Sequence, residues 1–183
     1  MSTNFQALVF NIPPDQAPSM LARHLRNYLV GEQIIDARTS NCAPDARRPS
    51  YAPGPGYTIA VDVPNPNLFS LSTNGVEISL GRIVEIDPQG SFKATCLKCA
   101  NVFTPGEDMY DAISSWCDGE DDVSIACPKC VHETRLVDWS IKPAWGFGNL
   151  ALKFWNWPML RPAFIDKLTS IAGFHPTVVT GKL

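Results

Sequence analysis

Two Cys-x-x-Cys pairs, Cys96/Cys99 and Cys127/Cys130, restrict what this chain can fold into more than any other feature. One such pair wraps two thiolates around one side of a metal ion, and two pairs close a tetrahedral shell with no position left for water or substrate. The spacing therefore predicts one structural Zn2+ held by Cys96, Cys99, Cys127 and Cys130, a centre that fixes shape and performs no reaction. A catalytic dithiol is the rival reading, because a lone Cys-x-x-Cys can carry one depressed thiol pKa; an iron centre is the third. A redox motif opens a helix after a strand, whereas these pairs are flanked by strand-like residues, 91–95 before the first and 124–126 and 134–139 around the second. Cys42 and Cys117 have no such partner and read as bystanders, Cys117 as a buried thiol at a helix end. His132, two residues past Cys130, is a candidate replacement for one thiolate.

At 183 residues the chain is long enough for one ordinary domain and a small appendage. Hydrophobic residues at 45% against 18% charged exclude disorder over most of its length. Residues 1–16 lack a basic segment followed by an apolar run, so they do not read as a secretory signal. The most apolar window, 144–160, is short and interrupted by Asn149, Lys153 and Asn156, which argues against a membrane span. Reduced thiols without an export signal point to the cytoplasm.

The formal charge of −3 is unevenly spread. The cations are scattered, with Arg47 and Arg48 as the adjacent pair, which disfavours nucleic acid as a partner because phosphate binding needs a clustered positive footprint. Glu107, Asp108, Asp111, Asp118, Glu120, Asp121 and Asp122 instead follow one another with no Lys or Arg between them.

Hydrophobic periodicity sketches the rest. Residues 5–11 read as a strand; a helix follows with Asp15 as N-cap, Leu21, Leu25, Tyr28 and Leu29 on one face and Gly31 as its stop. Residues 33–36 suggest a second strand, and the proline-rich stretch 40–56 a surface loop. Alternation over 57–63, with Tyr57, Ile59, Val61 and Val63 on one side, gives the clearest strand pattern of the chain. Asn74-Gly75 signals a hairpin turn into a strand over 76–86, and Asp87-Pro88-Gln89-Gly90 a type I turn. Thr104-Pro105-Gly106-Glu107 has the form of a capping box ahead of a helix carrying Met109, Ile113 and Trp116, ended by Gly119. Pro162–Ala172 reads as a helix stopped by Gly173, and 177–183 as a final strand. These elements predict an α+β fold, a ferredoxin-like or related αβ sandwich with an inserted four-cysteine zinc ribbon. The expected division is a core of residues 1–91 plus 139–183 and a ribbon of residues 92–138.

Residues 139–158 hold four of the five tryptophans. Such density reads first as core, with an exposed partner anchor as the alternative; Gly146 and Gly148, flanking Phe147, suggest a close backbone approach. The acidic residues of the first helical turn suit the helix dipole, but Asp118, Glu120, Asp121 and Asp122 lie past the helix end, where negative charge is unfavourable. That placement makes them candidate contacts for a basic protein surface. Calcium is not indicated, since the spacing is not that of an EF-hand loop. His24, His132 and His175 lie in unrelated settings and no catalytic motif occurs, so no enzyme is expected.

The CxxC pairs followed by Trp145-Gly146-Phe147-Gly148 and Phe154-Trp155-Asn156-Trp157-Pro158 resemble small cytoplasmic zinc-ribbon proteins of bacteria. The compact, acidic, non-catalytic character is similar to immunity proteins that neutralise toxic effectors. That resemblance implies a protein that binds a toxin domain, its acidic face against a cationic site, and it assigns no role to any single residue. The alternative is a nucleic-acid-associated zinc ribbon using Lys93, Lys98, Lys129 and Arg135 around the knuckles.

Overall fold

The computed structural model describes residues 3–13, 15–45 and 47–183. The chain begins β1 (Asn4–Phe10), α1 (Pro18–Gly31), β2 (Ile35–Thr39), β3 (Ser50–Pro53) and β4 (Val76–Glu85). An excursion follows, made of β5 (Lys93–Thr95), β6 (Val102–Phe103), α2 (Glu107–Asp118), β7 (Ser124–Ala126), β8 (Glu133–Arg135) and β9 (Ser140–Lys142). The chain then returns through β10 (Gly146–Trp155), α3 (Pro162–Ala172) and β11 (Thr177–Lys182).

The result is a mixed α+β fold around one six-stranded sheet in the order β11-β1-β10-β4-β3-β2, with every neighbouring pair antiparallel. The pleat sorts residues to its two faces. Leu8 of β1, Leu152 of β10 and Ile78 of β4 stand in register and point to the face covered by α1 and α3. Helical spacing delivers Leu21, Leu25 and Leu29 from α1 and Phe164, Leu168 and Ala172 from α3 to the same core. Gln6 is buried among them and fully used: its amide N–H groups donate to the carbonyls of Trp157 and Pro158, and its oxygen accepts from the Leu160 N–H.

Several local expectations give way to tertiary packing. Residues 57–63 are not a strand. Pro55–Ile59 forms a 3₁₀ turn that buries Tyr57, Ala60 and Val61 and leaves Ile59 and Val63 exposed, a helical rather than an alternating pattern. The chain is fixed just upstream, where Gly54 passes so close to the Gln33 carbonyl, and Gly56 to the Glu32 carbonyl, that no side chain fits at either position. Asn74-Gly75 is not a hairpin turn either; both N–H groups donate to the Cys42 carbonyl, and the Asn74 side chain donates to the Leu68 carbonyl. The loop expected over 40–56 contains β3. Neither Asp15 nor Thr104 caps a helix, since the N-cap positions of α1 and α2 are Ala17 and Gly106, without a side-chain cap, and Thr104 accepts instead from the Lys93 ammonium.

The opposite face of the sheet is curled over itself. In β4, Gly81 at φ 100° and Arg82 stand against the single residue Asn149 of β10, a bulge that only glycine enters without strain. On the other side of β10, Asn149 holds the chain just past β1: its side chain accepts from the Ile12 N–H and donates to the Ile12 carbonyl. Beyond the bulge the paired strands lean back across β1 and β11, so that Ile83 joins Phe5, Ala7, Val9, Ala151 and Val179 in a second small core. A side chain at Gly148 would strike the Phe10 carbonyl, and one at Gly146 the Val9 and Val179 methyls, which is the close approach the sequence suggested.

That curl desolvates charge. The Lys153 ammonium lies over the rings of Phe5 and Trp155 and pairs with Glu85 at 2.7 Å. Glu77 accepts from Arg48, Ser79 and the Trp155 indole. Removing one member of a buried pair strands the other, whereas replacing both with apolar groups removes the penalty. Lys153→Met should therefore cost about 3 kcal/mol, and adding Glu85→Leu should restore most of it, a contrast that urea unfolding of the two variants reads directly.

Candidate metal centre and acidic face

The four cysteines come together because two short hairpins carry them at their tips. β5 pairs with β6 across Cys96/Cys99, and β7 pairs with β8 across Cys127/Cys130. The two turns are built alike. The Cys96 N–H donates to the Asn101 carbonyl and the Ala100 N–H to the Cys96 carbonyl; the Cys127 N–H donates to the His132 carbonyl and the Val131 N–H to the Cys127 carbonyl. In both, the residue after the second cysteine adopts the left-handed conformation, Ala100 at φ 54° and Val131 at φ 57°. A β-branched side chain there is strained by about 1–2 kcal/mol relative to glycine.

All four Sγ atoms lie within 4.8 Å of one another, and Cys96–Cys130 and Cys99–Cys127 are each separated by 3.7 Å. A tetrahedron of thiolates at Zn–S distances of about 2.3 Å has edges of about 3.8 Å, so the cluster has the size and donor chemistry to hold a metal ion. Burial raises the Cys127 thiol, but the backbone N–H groups of Cys130 and Lys129 and the thiols of Cys130 and Cys96 outweigh it and pull its pKa down. At Cys99 the Asn101 N–H lowers the pKa, and burial with the sulfurs of Cys130, Cys96 and Cys127 reverses that and pushes it up. Thiols this close act on one another's protons, and a metal ion, which binds thiolates, displaces those that remain. His132 is exposed and outside the cluster. Cys42 is buried and accepts from the Ser40 hydroxyl, whereas Cys117 is exposed, not buried as its helix position suggested.

The excursion has its own core. Met109, Ala112 and Trp116 of α2 meet Ile125, Leu136, Trp139, Ile141 and Trp145. Phe147 of β10, with Val84 and Ile86, belongs to the same cluster and joins it to the sheet. Every tryptophan of the chain is buried, so the aromatic run 139–158 is core, and none of its indoles stands ready as an anchor.

Glu107, Asp108, Asp111, Asp118, Glu120, Asp121 and Asp122 are all exposed, along α2 and the loop after it. The charge past the helix end has a structural counterpart that local sequence did not reveal. Arg82, from the bulge of β4, donates to the carbonyls of Trp116, Gly119 and Glu120, ion-pairs with Asp121, and lies over the Trp116 ring. A guanidinium thus caps the negative end of α2 and accounts for Asp121; Asp118, Glu120 and Asp122 form no salt bridge among the described residues. Of the cations around the knuckles, Arg135 pairs with Asp138 and Lys93 is held by Thr104.

Beside the second knuckle lies a cleft of about 540 Å³ lined by Phe103, Met109, Ile125, Pro128 and Val131, a site sequence reasoning missed because its walls come from two stretches of chain, 103–109 and 125–131, that only the fold brings together. No helix among the described residues is long and apolar enough to cross a membrane. No family model matches the chain, and no curated protein or solved structure matches it.

The cap and the strained turn can each be tested by stability. Arg82→Ala removes three carbonyl caps at once and should cost about 2 kcal/mol, while Asp121→Asn, at a solvent-exposed position, should cost at most about 0.5 kcal/mol. Val131→Gly relieves the left-handed strain and should raise stability by about 1 kcal/mol in denaturant unfolding of the metal-loaded protein.

Proposed function

We propose that this protein is a non-catalytic, cytoplasmic zinc-ribbon protein that binds another protein, in its most concrete form an immunity protein neutralising a bacterial toxin through an acidic face. The observation that carries the reading is the exposed row of carboxylates on α2 and its following loop, mounted on an element stiffened by four converging thiolates. Zn2+ is the ion that suits four cysteine sulfurs in a closed shell, where it holds two hairpins together and leaves no position for substrate. The order β11-β1-β10-β4, with α1 and α3 on one face, is consistent with a ferredoxin-like core; β2 and β3 extend its edge, and the zinc ribbon takes the place of the turn between β4 and β10.

The reading of no catalysis is supported by the dispersal of reactive groups. His24, His132 and His175 are exposed on separate parts of the fold, and the buried Glu77 and Glu85 and the partly buried Lys153 are already engaged with one another or with their neighbours. The alternative, a nucleic-acid-associated ribbon, loses support because two of its four candidate cations, Lys93 and Arg135, are bound within the chain. A row of carboxylates on a rigid support attracts a basic protein surface from a distance and speeds encounter, an effect that fades with salt.

Native mass spectrometry should find one zinc per chain, lost on denaturation; a folded, metal-free protein would remove the zinc assignment. Affinity capture from the source cell, followed by Asp118→Lys, Glu120→Lys and Asp122→Lys together, tests the acidic face. Retention of the chief partner should fall at least about tenfold, with a slower association rate at high salt in the wild type. Undiminished capture after the reversal would refute it.

A further inference from the structure

Charge that steers a partner does not by itself hold it; affinity comes from a few desolvated apolar anchors. The tryptophans of this chain are all buried, so none of them serves as that anchor, and an apolar receptor on this surface takes one from the partner instead. We propose that the cleft beside the second cysteine knuckle receives an apolar side chain from a partner-protein segment whose flanks carry lysine or arginine.

Three observations converge on that place. The cleft, about 540 Å³, has apolar walls from Phe103 of β6, Met109 of α2, Ile125 of β7, and Pro128 and Val131 of the knuckle. Val131 is 77% exposed while held in the left-handed conformation, so its isopropyl group is both strained and solvated. Glycine would satisfy the turn without either cost, and the matching position of the first knuckle carries only Ala100. A retained apolar group under strain on the rim of an apolar cleft is an outlier of the kind that collects at binding sites. The third observation is charge: Glu107, Asp108 and Asp111 are exposed on the first turns of α2, and Asp108 itself lines the cleft. That rim repels phosphates and anionic lipid headgroups and complements basic flanks on a peptide. The inference rests on the protein-binding reading above and locates its anchor at the N-terminal end of α2, away from Asp118, Glu120 and Asp122.

The test uses the full-length zinc-loaded protein, isotopically labelled for amide NMR, and two synthetic peptides with the same Leu-Phe centre, one flanked by lysines and one by glutamates. The lysine peptide should shift amides of residues 102–109 and 125–131, and it should bind at least about tenfold more tightly than the glutamate peptide. Val131→Gly should weaken that binding about tenfold while making the protein more stable, and Val131→Ile should retain it. Shifts located elsewhere, no binding, or equal binding by Val131→Gly would overturn the proposal. Capture of the natural partner separates the two readings. Loss with the charge reversals but not with Val131→Gly overturns the cleft and leaves the acidic loop standing; loss with Val131→Gly but not with the reversals supports the cleft and refutes the loop.

Discussion

The antiparallel pairing of β4 with β10 is the interaction on which the rest of the structure depends, because the whole excursion from Ile86 to Trp145 is a loop closed by it. The pair Glu85–Gly146 marks where the chain leaves the sheet and where it returns. Closing so long a loop is entropically costly, and the cost rises only slowly with length, so an excursion of this size is tolerable once the ladder has formed. What the ladder cannot do is order the excursion's interior, whose strands are two or three residues long. Hairpins that short do not stand alone in water. Their order comes from the shared core around Trp116, Trp139 and Trp145 and, on the proposed reading, from an ion that ties the two hairpin tips together.

The bulge at Gly81 makes the same ladder serve two cores. Before it, β4 and β10 offer Ile78, Leu152 and Phe154 to the helices; after it, Ile83 turns onto the curled face while Val84 and Phe147 reach the excursion. Arg82 sits in the bulge itself and ends on the carbonyls of α2. One local irregularity thereby sets both the curvature that buries the Glu85–Lys153 pair and the position of the arginine that orients the acidic helix.

Much of this was legible from local pattern where that pattern reported a whole element. α3 and the strands β1, β4 and β11 follow from periodicity and from glycine stops, and the four-cysteine cluster from spacing alone. The failures share a physical cause. Tyr57, Ile59, Val61 and Val63 alternate perfectly, yet the backbone there answers to Gly54 and Gly56 pressed against the carbonyls of Gln33 and Glu32, a contact invisible to a window of seven residues. Asn74-Gly75 has turn chemistry, but its donors are taken by the Cys42 carbonyl from a distant loop. Thr104 has the right spacing for a cap and is claimed by Lys93. The charge past the end of α2 looked unexplained for the same reason: its counter-ion, Arg82, arrives from another strand.

That last point changes what the acidic loop can be asked to explain. A carboxylate past a helix C-terminus is unfavourable only while the helix end is uncompensated, and the Arg82 guanidinium compensates it. Asp121 then needs no partner outside the chain, and the weight of the binding argument moves to Asp118, Glu120 and Asp122 and to the carboxylates at the opposite end of α2. Exposed carboxylates contribute mainly to the rate of encounter and are screened by salt. Strain at an exposed apolar residue is different, because it persists at any ionic strength and contributes nothing to the free protein. Val131 is therefore the feature of this surface least readily explained by folding alone. A surface that pairs long-range attraction along α2 with a short-range apolar receptor at its start has both ingredients that specific, tight protein association requires.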